Sequence, residues 1–132
     1  MGVDIHGPFV EYRYNGGGYW FSAAEMHWFR STSLFQLMAG VRGGSPLVEP
    51  RGRPKDIGSA WDGHIREDCH SFSWLLPKEL RRVRKMFRRV LREEWGEEAI
   101  TPDLDALVAF VKILRTKGKS GTEVRIGFCF DN

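Results

Sequence analysis

The stretch from Thr122 to Asp131 alternates apolar residues with other residues, one by one. Successive side chains of a β-strand point to opposite faces of its sheet, so this pattern predicts a strand with one buried face. The apolar side consists of Val124, Ile126, Phe128 and Phe130, and the other side consists of Glu123, Arg125, Gly127 and Cys129. A sheet that contains such a strand needs an apolar layer packed against one of its faces.

Two amphipathic helices are predicted to form that layer. The first begins at Pro77, a residue that suits the first position of a helix, and ends before Gly96. Thr101 and Pro102 mark the start of the second helix, and Gly118 marks its end. The apolar residues at helical spacing are Leu80, Val83, Met86, Phe87, Val90, Leu91 and Trp95 in the first helix and Leu104, Leu107, Val108, Val111 and Leu114 in the second.

The amino-terminal part of the chain predicts a hairpin. Residues 3–14 form its first strand, with an interruption at Gly7 and Pro8, and residues 19–23 form its second strand. Between them, residues 15–18 read Asn-Gly-Gly-Gly, and these residues accept the positive φ angles that hairpin turns require. The strand at the carboxyl end therefore has partners with which to build a sheet.

Shorter elements are predicted in the middle of the chain. A short helix is capped by Thr32 or Ser33 and stops at Gly40. Residues 57–67 suit one or two helical turns, and residues 70–75 favour an extended segment. These elements predict an α+β fold: a small antiparallel or mixed sheet of three to five strands, with two main amphipathic helices packed on one face.

The composition limits the class of protein. A chain of 132 residues with 42% apolar and 28% charged residues fits a single domain, 1–132, with one core. Two cysteines without the spacing of a metal site, and an amino terminus without a basic region followed by an apolar one, favour a reduced, cytoplasmic protein. No apolar run approaches the roughly 20 residues that span a bilayer, so we expect no membrane partner. The net charge of +3 tolerates anionic ligands.

A long loop is predicted over residues 41–56, because six glycine and proline residues there prevent a helix or a central strand. Its cations are Arg42, Arg51, Arg53 and Lys55. The segment from Arg51 to Asp56 can clamp phosphate oxygens, since guanidinium groups bind them in pairs and glycine lets backbone amides approach. Solvated loop charge explains the same residues equally well.

Two Asp-x-His triplets are the candidate centre of chemistry. Asp4 and His6 share one face of the first predicted strand, and Asp68 and His70 share a face if their segment is extended. If the helices cover the apolar face of the sheet, these four groups converge on the open face, where Arg125 also projects. We therefore expect one acid, base and cation cluster on that face.

Two chemical roles suit such a cluster. An aspartate can orient a histidine that takes or gives a proton in phosphoester or acyl chemistry. Alternatively, two histidines and two aspartates can hold a divalent metal that activates water. The plain alternative is that each histidine satisfies a backbone carbonyl. Ser71 and Ser73, on either side of Phe72, can donate to a phosphate or can end the strand and cap the next helix.

The helix from Lys78 to Arg92 is rich in arginine, a pattern with which many proteins bind nucleic-acid phosphates. Its apolar stripe, however, is typical of ordinary core packing, and its arginines can pair with nearby glutamates at helical spacing. We favour the second interpretation, so the binding of nucleic acid or of a partner protein through this helix stays an alternative.

Five blocks of the chain form a distinctive combination: Gly2-x-Asp4-Ile5-His6, Leu34-Phe35 followed by Ala39-Gly40-Val41-Arg42, Pro50-Arg51-Gly52-x-Pro54-x-Asp56, Asp68-x-His70-Ser71-x-Ser73-Trp74-Leu75 and Phe128-x-Phe130-Asp131-Asn132. Together these blocks resemble a family of small proteins of bacteriophages and bacterial genomes. The chain departs from the family pattern at Phe72, where a second histidine is common, and at Val3, where a cysteine is common. The absence of a histidine at position 72 weakens the case for a bound metal, and the absence of a cysteine at position 3 weakens the case for a thiol nucleophile.

The resemblance implies a ligand with phosphates, ribose hydroxyls and a base, and thus an anti-defence protein that engages a nucleotide-derived immune signal. In the first hypothesis it hydrolyses a cyclic nucleotide phosphodiester, with His6 and His70 as acid and base, oriented by Asp4 and Asp68. The predicted ligand-binding residues are Arg42, Arg51, Asp56, Ser71, Ser73, Trp74, Arg125 and Asp131. A second hypothesis is a sponge that sequesters a cyclic nucleotide or a cyclic ADP-ribose type of signal without turnover. Neither hypothesis requires a cofactor or metal, and a homo-oligomer is left open.

Overall fold

Four strands form the sheet of the computed structural model, which describes residues 3–14, 18–28, 30–96, 101–118 and 121–131. The strands are β1 (Asp4–Tyr14), β2 (Phe21–Glu25), β3 (His70–Leu75) and β4 (Thr122–Asp131). Their order in the sheet is β2-β1-β4-β3, and each neighbouring pair is antiparallel. The strand with the clearest alternation, β4, thus has the predicted bounds and lies inside the sheet.

The helices complete the predicted α+β fold. They are α1 (Thr32–Ala39), α2 (Ser59–Asp62), α3 (Pro77–Trp95) and α4 (Pro102–Lys117), with a 3-10 turn at Val41–Gly43. The core joins β4 to the apolar stripes of these helices through side chains such as Phe35, Leu80, Leu107, Ile126 and Phe128. The prediction that two main amphipathic helices cover one face of a small sheet is confirmed.

The helix ends follow from their residues, with one shift. Ser31 caps α1 by accepting a hydrogen bond from the amide of Leu34, so the cap lies one residue before the predicted position. Gly40 ends this helix as predicted, with a φ of 67° that a residue without a Cβ adopts easily. At the start of α3, the Glu79 carboxylate accepts a hydrogen bond from the Leu76 amide at 2.8 Å.

The hairpin at the amino end is present, but its second strand starts at Phe21, two residues after the predicted start. Residues 15–17 of the predicted turn lie outside the described residues, as do Gly2 and Asn132 of the family blocks. The interruption predicted at Gly7 and Pro8 coincides with an irregularity in the register of β1 against β4. The first strand continues beyond it to Tyr14.

The second face of the sheet, which we call the outer face, is covered along part of its length. Trp61 of α2 is fully buried against Gly127 of β4, where an added Cβ would lie 2.5 Å from the ring atom Cζ3. Phe9 of β1, the cross-strand partner of Gly127, stacks on Trp61 with 6.1 Å between ring centroids. The expectation that this face is open is therefore wrong, because the missing side chain of Gly127 makes room for an indole ring.

Candidate functional site

One end of the outer face carries three of the predicted site residues. The Nε2 atom of His6 forms a hydrogen bond with the carboxylate of Asp131, and Asp4 is the cross-strand partner of Asp131. The side chains of His6 and Asp131 are 14% and 20% exposed. The structure thus brings Asp4, His6 and Asp131 together where β1 and β4 meet.

Arg30 completes this cluster, although no pattern in the sequence singled it out. Its Nε and Nη2 atoms donate to the two carboxylate oxygens of Asp4 at 2.9 and 3.0 Å. These hydrogen bonds hold the pKa of Asp4 below its ordinary value of 3.8. Asp4 is bound by Arg30, and the carboxylate that forms the hydrogen bond with His6 is Asp131 rather than the predicted Asp4.

The second Asp-x-His triplet does not share a strand face. Strand β3 begins at His70, while Asp68 is exposed in the turn closed by the hydrogen bond from the Cys69 amide to the Arg66 carbonyl. His70 lies opposite Phe130, whereas His6 lies opposite Cys129, and neighbouring residues of β4 point to opposite faces. The predicted meeting of the two histidines over one patch of sheet is therefore wrong.

Arg51 ties the long loop to the start of α3. Its Nη1 and Nη2 atoms each donate to Glu79 at 2.7 Å, its guanidinium lies 4.2 Å from the centre of the Trp74 ring, and its amide donates to the Ser73 hydroxyl. Burial alone raises the pKa of Glu79, but the hydrogen bonds from Arg51 and the Leu76 amide hold it below the ordinary value. The guanidinium of Arg51 is thus committed to a structural contact.

Arg125 is the centre of a buried polar cluster. Arg125 and Glu11 are 4% and 1% exposed, and the Arg125 Nε atom donates to Glu11 at 2.7 Å. The Nη1 atom donates to Asp56 at 2.9 Å, and the Trp20 indole N–H donates to the same carboxylate at 2.9 Å. Burial raises the pKa of Glu11 against the opposing effect of Arg125. This cluster fixes the end of the long loop on the outer face.

Beside this cluster lies an open groove with a volume of about 790 Å³, which we call the Trp groove. The sheet supplies its floor, the long loop one wall, and the helices α3 and α4 the other. Its lining residues are Arg13, Trp20, Pro54, Lys55, Asp56, Trp74, Leu76, Pro77, Lys78, Arg81, Arg115, Thr122, Glu123, Val124 and Arg125. Two indole rings and several cations therefore line one concave surface.

The charges of the Trp groove are unevenly paired. Its two acids are neutralised at the floor, because Asp56 binds Arg125 and Glu123 binds Arg13 at 2.6 Å. In contrast, Lys55, Arg81 and Arg115 form no ion pair within the part of the chain that the structure describes. The groove therefore presents an excess of positive charge to a ligand.

Only some predicted ligand-binding residues reach this groove. Asp56, Trp74 and Arg125 line it, while Arg42 is exposed in the Val41–Gly43 turn and Ser71 contacts His70 through its hydroxyl at 3.0 Å. The groove also contains Lys55, which belongs to the loop segment predicted to clamp phosphate, while the residues that no predicted ligand-binding segment included are Trp20, Arg13, Arg81 and Arg115. The high tryptophan content was the available signal, since rings beyond the needs of a small core can line a pocket.

The arginine-rich helix is partly neutralised by its neighbour. Arg88 donates to Asp105 of α4 at 2.7 Å, and Arg84 lies 3.7 Å from the same carboxylate. Arg81 faces the Trp groove instead. Two cations of α3 are thus paired with α4, while Arg82, Lys85, Arg89 and Arg92 are exposed on the same helix.

Within the described residues, no three His, Cys, Asp or Glu side chains are grouped to hold a metal ion. No described helix is long and apolar enough to cross a membrane. Comparisons with protein-family models, with curated proteins and with solved structures give no match for this chain.

Proposed function

We propose that this protein binds a small nucleotide-like ligand in the Trp groove and holds it without hydrolysis. The observation that carries the proposal is that Arg81 and Arg115, which form no ion pair with any described residue, line the same groove as the indole rings of Trp20 and Trp74. Anion-binding groups and aromatic rings on one concave surface suit a ligand that has both a phosphate and a base.

The cations supply the recognition of phosphate. A guanidinium group presents N–H donors in a planar fork that matches two phosphate oxygens, and it stays charged at every physiological pH. Arg81 extends from α3 and Arg115 from α4, so an anion between them contacts two rigid elements. Lys55 adds a third charge from the loop wall.

The indole rings supply the recognition of the base. Arg51 lies over the Trp74 ring at 4.2 Å, and Arg13 and Arg125 lie over the Trp20 ring at 4.5 and 4.1 Å. A base would therefore stack on the indole surface that these guanidinium groups leave uncovered. Base stacking on an aromatic side chain contributes about 1–3 kcal/mol. A volume of about 790 Å³ lies in the usual range of sites for small molecules, roughly 300–1,000 Å³.

Sequestration fits this site better than hydrolysis. No histidine is among the described residues that line the groove. Although burial opposes it, hydrogen bonding from Arg125 and Trp20 keeps the pKa of Asp56 below its ordinary value, so this carboxyl is a poor proton donor at neutral pH. In a protein of the phage type that the family blocks resemble, such a site would serve to sequester a nucleotide-derived immune signal.

Quenching of tryptophan fluorescence tests the binding. The probes are AMP, ATP, ADP-ribose and cyclic di-AMP, each titrated to about 1 mM. A Kd of about 1 mM corresponds to a binding free energy of roughly −4 kcal/mol, so the titration detects weak binding. After incubation at saturation, heat denaturation of the protein should release the bound probe intact. Failure of all four probes to quench would refute the proposal, and release of a cleaved product would replace sequestration with turnover.

Matched arginine variants assign the binding to the groove. Arg81→Gln removes one unpaired cation of the groove, while Arg89→Gln removes an exposed cation of the same helix that does not line it. We expect Arg81→Gln to weaken binding by about fivefold, since one accessible ion pair contributes up to roughly 1 kcal/mol. Equal losses in both variants would show that binding follows the overall charge rather than this site.

A further inference from the structure

We propose that the ligand of the Trp groove carries a chain of two or more linked phosphates, and that this chain lies in an adjoining basin. The basin has a volume of about 530 Å³, and we call it the phosphate basin. Its lining residues are Arg81, Lys112, Arg115, Thr116, Gly118, Gly121 and Thr122. This inference rests on the proposed function, because it concerns the same ligand.

The two cavities are adjacent. Arg81, Arg115 and Thr122 line both of them, so these three residues form the boundary between the Trp groove and the phosphate basin. A ligand whose base lies at Trp20 and Trp74 can extend past the two arginines without leaving the protein surface. The same guanidinium groups would then contact the first phosphate of the chain.

The charge distribution gives the ligand a direction. Both acids that line the combined site, Asp56 and Glu123, lie in the Trp groove, and no acidic residue is among the described residues that line the phosphate basin. The basin instead adds the ammonium group of Lys112. Among the described residues, only cations and neutral groups line the basin, whereas the Trp groove also holds two carboxylates within ion pairs, so a phosphate chain favours the basin and leaves the base at the tryptophans.

The basin also has the right arrangement for more than one phosphate. Lys112 and Arg115 are three residues apart on α4, and side chains at that spacing are neighbours on a helix surface. Arg81 approaches from α3 on the other side of the same boundary. Three cations from two helices match a chain of phosphates better than they match a single phosphate, which Arg81 and Arg115 alone can satisfy.

Calorimetric titration with AMP, ADP and ATP, in the absence of divalent metal, tests the inference. We expect ATP to bind about fivefold more tightly than AMP, because its additional phosphates reach Lys112, which AMP does not, and one exposed ion pair contributes up to roughly 1 kcal/mol. Lys112→Gln should remove most of this gain and leave the affinity for AMP unchanged. Lys85→Gln, an exposed cation of α3 outside both cavities, should change neither affinity.

The outcomes separate the two proposals. If AMP binds and ATP binds no more tightly, the phosphate basin is wrong and the Trp groove stands. A loss of AMP affinity in Lys112→Gln equal to the loss of ATP affinity would likewise overturn the basin, since Lys112 would then act through overall charge. If none of the three nucleotides binds, both proposals fall together.

Discussion

Replacement of Arg125 by methionine should destabilise the protein far more than replacement of its partner Glu11 by glutamine. Methionine keeps most of the length of the arginine side chain but removes the guanidinium group, so the Glu11 carboxylate loses the donor that lies 2.7 Å away. The side chain of Glu11 is only 2% exposed, and water cannot replace that donor. Removal of one partner from a buried ion pair costs about 3–5 kcal/mol.

The cost of Glu11→Gln should be near 1 kcal/mol, the size of one ordinary hydrogen bond. Glutamine still offers a carbonyl oxygen to Arg125, and Arg125 keeps the carboxylate of Asp56 at 2.9 Å. The double variant, which combines Arg125→Met with Glu11→Gln, has no Glu11 carboxylate that could be left buried without a partner. We therefore expect the double variant to be more stable than Arg125→Met alone, with a coupling free energy of about 2 kcal/mol or more.

Urea unfolding, followed by tryptophan fluorescence and by circular dichroism, measures these free energies. If Arg125→Met fails to fold at pH 7, recovery of folding in the double variant tests the same claim.

The loss of unfolding free energy in Arg125→Met should also become smaller as the pH falls. Burial raises the pKa of Glu11 above its ordinary value of 4.5, so protonation favours the folded state, and the stability gained at low pH is lost as the pH rises through the raised pKa. Equal costs for the two single variants, with no coupling, would refute this account of the cluster.

Three further perturbations test other parts of the structure by the same measurement. Gly127→Ala should cost about 1–3 kcal/mol, because its Cβ would lie 2.5 Å from the ring of Trp61, and Trp61→Leu should make that cost much smaller. Arg51→Lys should cost about 1 kcal/mol, since lysine cannot donate two parallel hydrogen bonds to Glu79, and an unchanged urea midpoint would argue against that clamp. Burial, and after it the contact with the Cys69 thiol, raises the pKa of Cys129 from 9.0 to about 12. The Cys129 thiol therefore ionises at lower pH in the unfolded chain than in the folded protein, and the free energy of unfolding should fall from pH 9 towards pH 12. Cys129→Ala should show a smaller fall over that range.

The elements with strong periodicity could be predicted from the sequence because one physical force governs them. The alternation of β4 and the helical stripes of α3 and α4 each describe a single element that buries a single face. Pro77 and Gly118 mark the helix ends for local reasons, since one suits the first turn and the other follows the last. Such features can therefore be predicted without knowing which distant segment packs against the element.

The candidate site could be predicted only in fragments, because it is assembled from segments that are distant in the sequence. Arg125 and Glu11 are 114 residues apart, and the pairing depends on the register between β1 and β4. Alternation correctly placed Arg125 on the outer face, but it carried no information on what covers that face. A buried ion pair and an exposed binding arginine have the same local pattern, and only the partner across the sheet distinguishes them.

The error in the predicted histidine site has a specific physical cause. The two Asp-x-His triplets were assumed to lie on one open face of the sheet, yet Asp68 lies in a turn before β3, and His70 pairs with Phe130 of the apolar face. The outer face is also covered by Trp61, which reaches it from a helix of four residues, too short to have a recognisable period. Once Phe9 and Trp61 fill the middle of the outer face, its polar residues divide between two ends. His6 remains with Asp131 at one end, while Arg125 joins the Trp groove at the other.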